Sequence, residues 1–147
     1  MKHYSHQFRV QAPLERVTDF HRDTKALQYL TPPPLIVRFN ELQPLAEGSV
    51  ADFTMWFGPL PIRWVAAHYD VDPNSGFTDT QVAGPFEAWV HRHSFQALDE
   101  NNTEVRDEIQ GQPSRHPFWG LVSRIMWLNL PILFAYRAWR TRRALER

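Results

Sequence analysis

Residues 86–111 read FEAWVHRHSFQALDENNTEVRDEIQG, and the fold turns on how the two runs in this stretch alternate. In an extended chain successive side chains point to opposite faces. Trp89, His91, His93 and Phe95 then share one face of the first run, and Ala88, Val90, Arg92 and Ser94 the other. In the second run Arg106, Glu108 and Gln110 take the face that suits water, which turns Val105, Asp107 and Ile109 inward. The connection DENN, residues 99–102, is too short for a helical crossover, so the runs pair antiparallel. Two registers keep the faces matched. With Ala97 opposite Thr103, Asp107 faces His93 directly; with Asp99 opposite Thr103, it faces Phe95 and lies diagonal to His93. Neighbours of either kind are roughly 4.5–8 Å apart, so a carboxylate and an imidazole come within reach of each other.

The same texture extends upstream. LIVRFNEL (35–42), SVADFTMWF (49–57), PIRWVAAHYDV (61–71) and GFTDTQVA (76–83) are β-rich runs separated by Glu47-Gly48, a Gly58-Pro59 turn, DPNSG and Gly84-Pro85. HYSHQFRV (3–10) predicts a first strand. Pro13 then opens a short helix with Leu14, Val17 and Phe20 along one side, and Asp23 caps a second short helix through Leu27 and Leu30, stopped by TPPP at 31–34. From Phe118 the pattern is helical again, and Asn129 with Pro131 reads as the cap and first turn of LPILFAYRAWRTRRALER. Helices and strands fall in separate blocks, which predicts one α+β domain over residues 1–147. Its seven-stranded antiparallel sheet cannot leave both faces wet, so the C-terminal helix must cover one of them.

Sixteen basic against sixteen acidic side chains leave no net charge to gather nucleic acid. The absence of cysteine removes disulfides, thiolate catalysis and cysteine-ligated metals, and fits a reducing compartment. MKHYSHQF lacks the apolar run of a secretory signal, so a cytoplasmic location is expected and the Asn101-Asn102-Thr103 acceptor pattern carries no meaning. The greasy stretch 118–139 is interrupted by Arg124, Asn129, Pro131 and Arg137, well short of the ~20 apolar residues a spanning helix needs. The arginines from Arg137 to Arg147 suit either a solvated, dipole-complementing helix end or contact with anionic lipid, and the first is the simpler expectation.

The element order, together with LTPPP (30–34), Glu47-Gly48, Arg63-Trp64, the segment GFTDTQVAGPFEAWVHRHSF (76–95) and FAYR (134–137), resembles the SRPBCC superfamily. That superfamily includes START lipid-transfer domains, birch-pollen-allergen-like proteins and polyketide cyclase/dehydrases. The resemblance implies a helix-grip fold: a curved sheet wrapped around a long C-terminal helix, with a cavity between them for a hydrophobic or aromatic small molecule. It also implies an alternative, a cyclase/dehydrase-like enzyme.

A carboxylate flanked by Val105 and Ile109 needs a partner. Three readings of Asp107, His91 and His93 remain open: a buried polar clasp with His91 bonded to backbone or Tyr69; a pair lining a ligand cavity, with His93 as donor or general acid/base tuned by Asp107; or a two-histidine, one-carboxylate metal face. Trp56, Trp89, Phe95 and Phe134 are expected as aromatic cavity walls, although each suits plain core equally. Arg63 is either a cavity cation or a stem lying over the sheet, and Arg137 either reaches a carboxylate beneath its helix or faces solvent. The face taken by Asp79 and Gln81 is open, because the Gly84-Pro85 turn can carry a bulge. No G-x-S-x-G, P-loop, G-x-G-x-x-G or H-E-x-x-H motif occurs, so no cofactor is expected, and binding rather than catalysis is the first expectation.

Overall fold

A computed structural model describes residues 1–23 and 25–146. The chain runs β1 (Lys2–Val10), α1 (Leu14–Arg22), α2 (Ala26–Tyr29), β2 (Leu35–Leu42), β3 (Val50–Phe57), β4 (Leu60–Asp72), β5 (Gly76–Ala83), β6 (Phe86–Asp99), β7 (Asn102–Pro113), α3 (Pro117–Leu128) and α4 (Leu130–Leu145). The strands form one antiparallel sheet in the order β1-β7-β6-β5-β4-β3-β2. Short hairpins place β2 to β7 in sequence, and the α1–α2 segment carries the chain from β1 at one edge to β2 at the other, so that β7 pairs with β1.

The C-terminal helical region is two helices bent by 51° at Asn129. Asn129 does not cap α4 with its side chain as expected; its amide donates to the Ile125 carbonyl and so closes the end of α3. Pro131, lacking an N–H, then tolerates the first turn of α4. Asp23 does bond the start of the next turn, accepting from the Lys25 N–H at 3.0 Å.

Period-two alternation puts one face of the sheet against the helices, and two apolar clusters form there. The first contains Phe53, Trp64, Phe86, Trp89, Ile109 and Phe134. The second contains Val10, Val17, Phe77, Phe95, Val105 and Leu145. Gly111 is required in the first, since a Cβ there would lie 2.6 Å from the Trp127 ring. Gly76 is required at the second: its φ of 143° suits glycine, and a Cβ would fall 1.9 Å from the His93 carbonyl oxygen.

Candidate functional site

Between the two clusters lies a polar seam. On β6 the inward residues run Trp89, His91, His93, Phe95, and on β7 Ile109, Asp107, Val105, so each strand passes from one apolar cluster to the other through ionisable groups. Ala97 pairs with Thr103, which sets His93 directly opposite Asp107. The register continues sideways: His6 of β1 pairs with Asp107, Asp79 of β5 with His91, and His68 of β4 with Asp79. Histidine and aspartate thus alternate across five neighbouring strands.

The hydrogen bonds differ from the pairing that register alone suggests. Asp107 Oδ1 accepts from His91 Nε2 at 2.8 Å and lies 3.4 Å from His93 Nδ1. His93 Nε2 donates to Asp79 Oδ2 at 2.6 Å, and His91 Nδ1 lies 3.9 Å from the same oxygen. Each imidazole therefore bridges both carboxylates, with the two rings stacked at 3.7 Å. Asp107 bonds most closely to His91, the diagonal neighbour, rather than to His93. Neither backbone nor Tyr69 satisfies His91.

Burial alone would depress the His93 imidazolium, but hydrogen bonds to Asp107 and Asp79 and their charges outweigh it, and its pKa is pushed up to about 9. Asp107, which burial alone would raise, is held far below the ordinary carboxylate range by hydrogen bonds from His91 and His93. Asp79 is lowered in the same way, against its own burial, chiefly by the His93 hydrogen bond. His91 moves down, through burial and the neighbouring positive His93, so the pair holds one charge on His93. His68 is also lowered by burial; its Nδ1 lies 3.2 Å from the Ser49 carbonyl oxygen.

Three helical residues complete the site. Phe134 of α4 is 2% exposed and packs on Tyr4, His6 and His91. Arg137, one turn on, folds back over the Phe134 ring at 5.4 Å. Its Nε is buried with no hydrogen-bond partner, and so is His6 Nδ1. Burial pulls the Arg137 guanidinium down, opposed by the charges of Asp107 and Asp79. His21 of α1 donates to the Val17 carbonyl at 2.9 Å and packs on Phe95; burial lowers it to about 4 and keeps it neutral.

The structure gathers His91, His93, Asp107, Trp89, Phe95, Phe134 and Arg137 on the helix-facing side of the sheet. It does not bring Trp56 or Arg63 there. Ala51 and Phe53 set the inward parity of β3, which turns Trp56 to the opposite face. Arg63 is exposed and forms a two-pronged pair with Asp52, its Nη2 2.7 Å from Oδ2, so it is a surface cation and not a cavity one. Asp79 turns inward. Gln81 instead brackets the Gly84-Pro85 turn, accepting from Phe86 N and donating to Phe86 O. Sequence reasoning also left out His6, His68 and His21. Each carries a local signal: alternation puts His6 on a face with Tyr4 and Phe8 and His68 on a face with Ile62, Trp64 and Ala66, and helical spacing sets His21 four residues after Val17.

Ligand atoms of Asp79, His91 and His93 lie within 4.8 Å of one another, so Asp79 and not Asp107 would supply the carboxylate of a metal triad. Here a 2.6 Å hydrogen bond joins His93 to Asp79. Open volume lies on the α1 side. A cleft of about 250 Å³ is lined by Thr18, Arg22, Val71, Asp72, Phe77 and Phe95 among others. Phe77 stacks on His93 at 4.3 Å and walls that cleft from the seam. A shallower hollow of about 520 Å³ lies among α1, α2 and Leu145.

No protein-family model matches the chain, and no curated protein does. Solved structures do. Protein CV1439 from Chromobacterium violaceum aligns over 100% of this chain and 99% of its own at 13% identity, with a TM-score of 0.79. Zhui aromatase/cyclase from Streptomyces sp. R1128 aligns over 99% and 96% at 17% identity, TM-score 0.68. Norcoclaurine synthase from Thalictrum flavum, in complex with dopamine and hydroxybenzaldehyde, aligns over 97% and 85% at 13% identity, TM-score 0.67. The chain has the helix-grip fold. At such identities the likeness extends to architecture and no further, so the chemistry of the helix-grip interior rests on this chain's own residues.

Proposed function

We propose that the protein binds a small aromatic or hydrophobic molecule carrying a neutral hydrogen-bond acceptor, seated against the His–Asp seam and Arg137. The observation that carries this reading is the pair of buried, unpartnered donor or acceptor atoms, Arg137 Nε and His6 Nδ1, whose side chains both pack on Phe134. A buried polar group without a partner costs about 1–3 kcal/mol, and a ligand group that completes it recovers that cost. Charge selects the ligand type. Asp79 and Asp107 are balanced by the His93 imidazolium and the Arg137 guanidinium, so an added carboxylate would leave a net buried charge, whereas a carbonyl, quinone or phenol adds none.

The cleft beside Phe77 and Phe95 gives the approach. Its volume of about 250 Å³ suits a single ring, and any ligand that passes from it to the seam requires Phe77 to swing from His93. The similar proteins whose names speak of aromatase/cyclase activity or of bound dopamine and hydroxybenzaldehyde support an aromatic ligand class by analogy. A general acid/base role for His93 is less well supported: a proton held between two carboxylates with a pKa of about 9 is poorly matched to transfer near neutral pH.

Thermal shift with paired ligands tests the proposal. At a hundredfold excess over its dissociation constant a true ligand adds about 2.7 kcal/mol, or roughly 5–10 °C for a chain of this size. Neutral aromatic carbonyls, quinones or phenols are expected to raise Tm, their carboxylate analogues much less, and Arg137→Met to abolish the gain. Silence across the neutral panel, or a gain that survives Arg137→Met, overturns it.

A further inference from the structure

The outer surface of the C-terminal helices carries an apolar stripe that the interior does not use. Phe118, Leu121, Ile125 and Leu128 follow at helical spacing along one side of α3, between 46% and 75% exposed, and Ile132 and Trp139 continue on α4 at 66% and 51%. The opposite sides are already committed: Gly120, Ser123, Leu130, Phe134, Ala138 and Thr141 are buried. Neither helix is long and apolar enough to cross a membrane. At 1.5 Å per residue they reach only about 18 and 24 Å, against a hydrocarbon core of about 30 Å, and the 51° bend breaks the pair.

The charges carried by α3 and α4 are of one sign. Residues 109–145 contain six arginines and no acidic residue in a chain that is neutral overall. Arg115, Arg124, Arg142 and Arg143 are exposed, and Arg143 lies over the Trp139 ring at 5.4 Å. A second copy docked through this face would bring arginines against arginines, with no carboxylate in either stretch to pair them. Anionic headgroups supply the missing counter-charges, while the acyl boundary accepts the apolar stripe.

From the exposed stripe and its arginine border, we infer that the outer face of α3 and α4 docks on the surface of an anionic lipid bilayer without inserting across it. The inference does not depend on the proposed interior ligand. Co-sedimentation of the full chain with phosphatidylcholine vesicles and with vesicles of phosphatidylcholine and phosphatidylglycerol reads it directly. The expected result is pelleting with the anionic vesicles only, weakened by added salt. Leu121→Ser with Ile125→Ser, both solvent-facing, should abolish pelleting while leaving the thermal melt intact. Arg124→Gln and Arg143→Gln should each lower partitioning roughly five-fold. Absence of pelleting with anionic vesicles at low salt overturns the inference, as does equal pelleting by the wild-type and serine chains. A dimer in sedimentation velocity that the serine pair dissociates, with no vesicle binding, assigns the face to a second copy instead and likewise overturns it.

Discussion

The two apolar clusters on the inner face of the sheet are built from the same strands and behave differently. Under α3 and α4, Trp64 meets Phe53, Phe86 and Trp89 ring to ring, and Phe134 closes the group at 2% exposure. On the α1 side, Phe77 and Phe95 stand 6.5 Å apart and border an open cleft. Size of side chain does not explain the contrast, because both regions are aromatic. The difference is the cover: two helices press on the first cluster, while only α1 and the end of α4 meet the second. The room expected beneath the final helix therefore opens beside α1, and the ionisable seam lies between a filled half and a half with space.

The sharpest way to break that contrast is to truncate one ring on each side. Phe134→Ala should cost about 5 kcal/mol, at the upper end for such a change, because its neighbours are held by the sheet and α4 and cannot collapse. Phe77→Ala should cost about 3 kcal/mol, since the void merges with a cleft that water already reaches, and should open the path to His93. Urea denaturation measures both; equal costs, or the reverse order, would show that the two clusters are packed alike.

A second test removes the seam's charge. Asp107→Asn leaves the His93 imidazolium with Asp79 alone and replaces the acceptor of His91, and should cost about 4 kcal/mol. The same variant should bring the His93 pKa down from about 9, readable by NMR titration of its ring protons. An unchanged titration would mean that Asp107 does not hold that proton.

The third and smallest effect is pH dependence. His93 has a folded pKa above its unfolded value near 6.5, so its contribution is fully present below pH 6.5 and is lost as pH rises through about 9. Its upper limit is about 3 kcal/mol. His21, lowered to about 4, works in the opposite sense: its contribution is present above 6.5 and is lost as pH falls towards 4, and the lowered His68 and His91 act in the same direction. Asp79 and Asp107 are both depressed, so their stabilisation is lost only at lower pH still. Stability should therefore be greatest near pH 6.5–7, and His93→Gln should flatten the alkaline limb alone. A wild-type profile that is flat from pH 7 to 9 would contradict the raised His93 pKa.

Alternation, turn length and the contrast of Arg106, Glu108 and Gln110 with Val105, Asp107 and Ile109 were sufficient, from the chain alone, for the antiparallel sheet, the block order and the inward side of β6 and β7. These are properties of residues close in sequence, and a two-residue period expresses them without reference to the rest of the molecule. Tertiary structure decided what distant elements bring together. A register shift between Val65 and Ala66 and a turn clasped by Gln81 accompany an inward Asp79, and the closure of β1 on β7 delivered His6 to Asp107. Asp107 bonds to the diagonal His91 rather than to the residue opposite it, and the packing of α4 decided that Arg137 faces in while Arg143 faces out. Contacts of this kind depend on strand order, bulges and helix placement, none of which has a local period for the sequence to display.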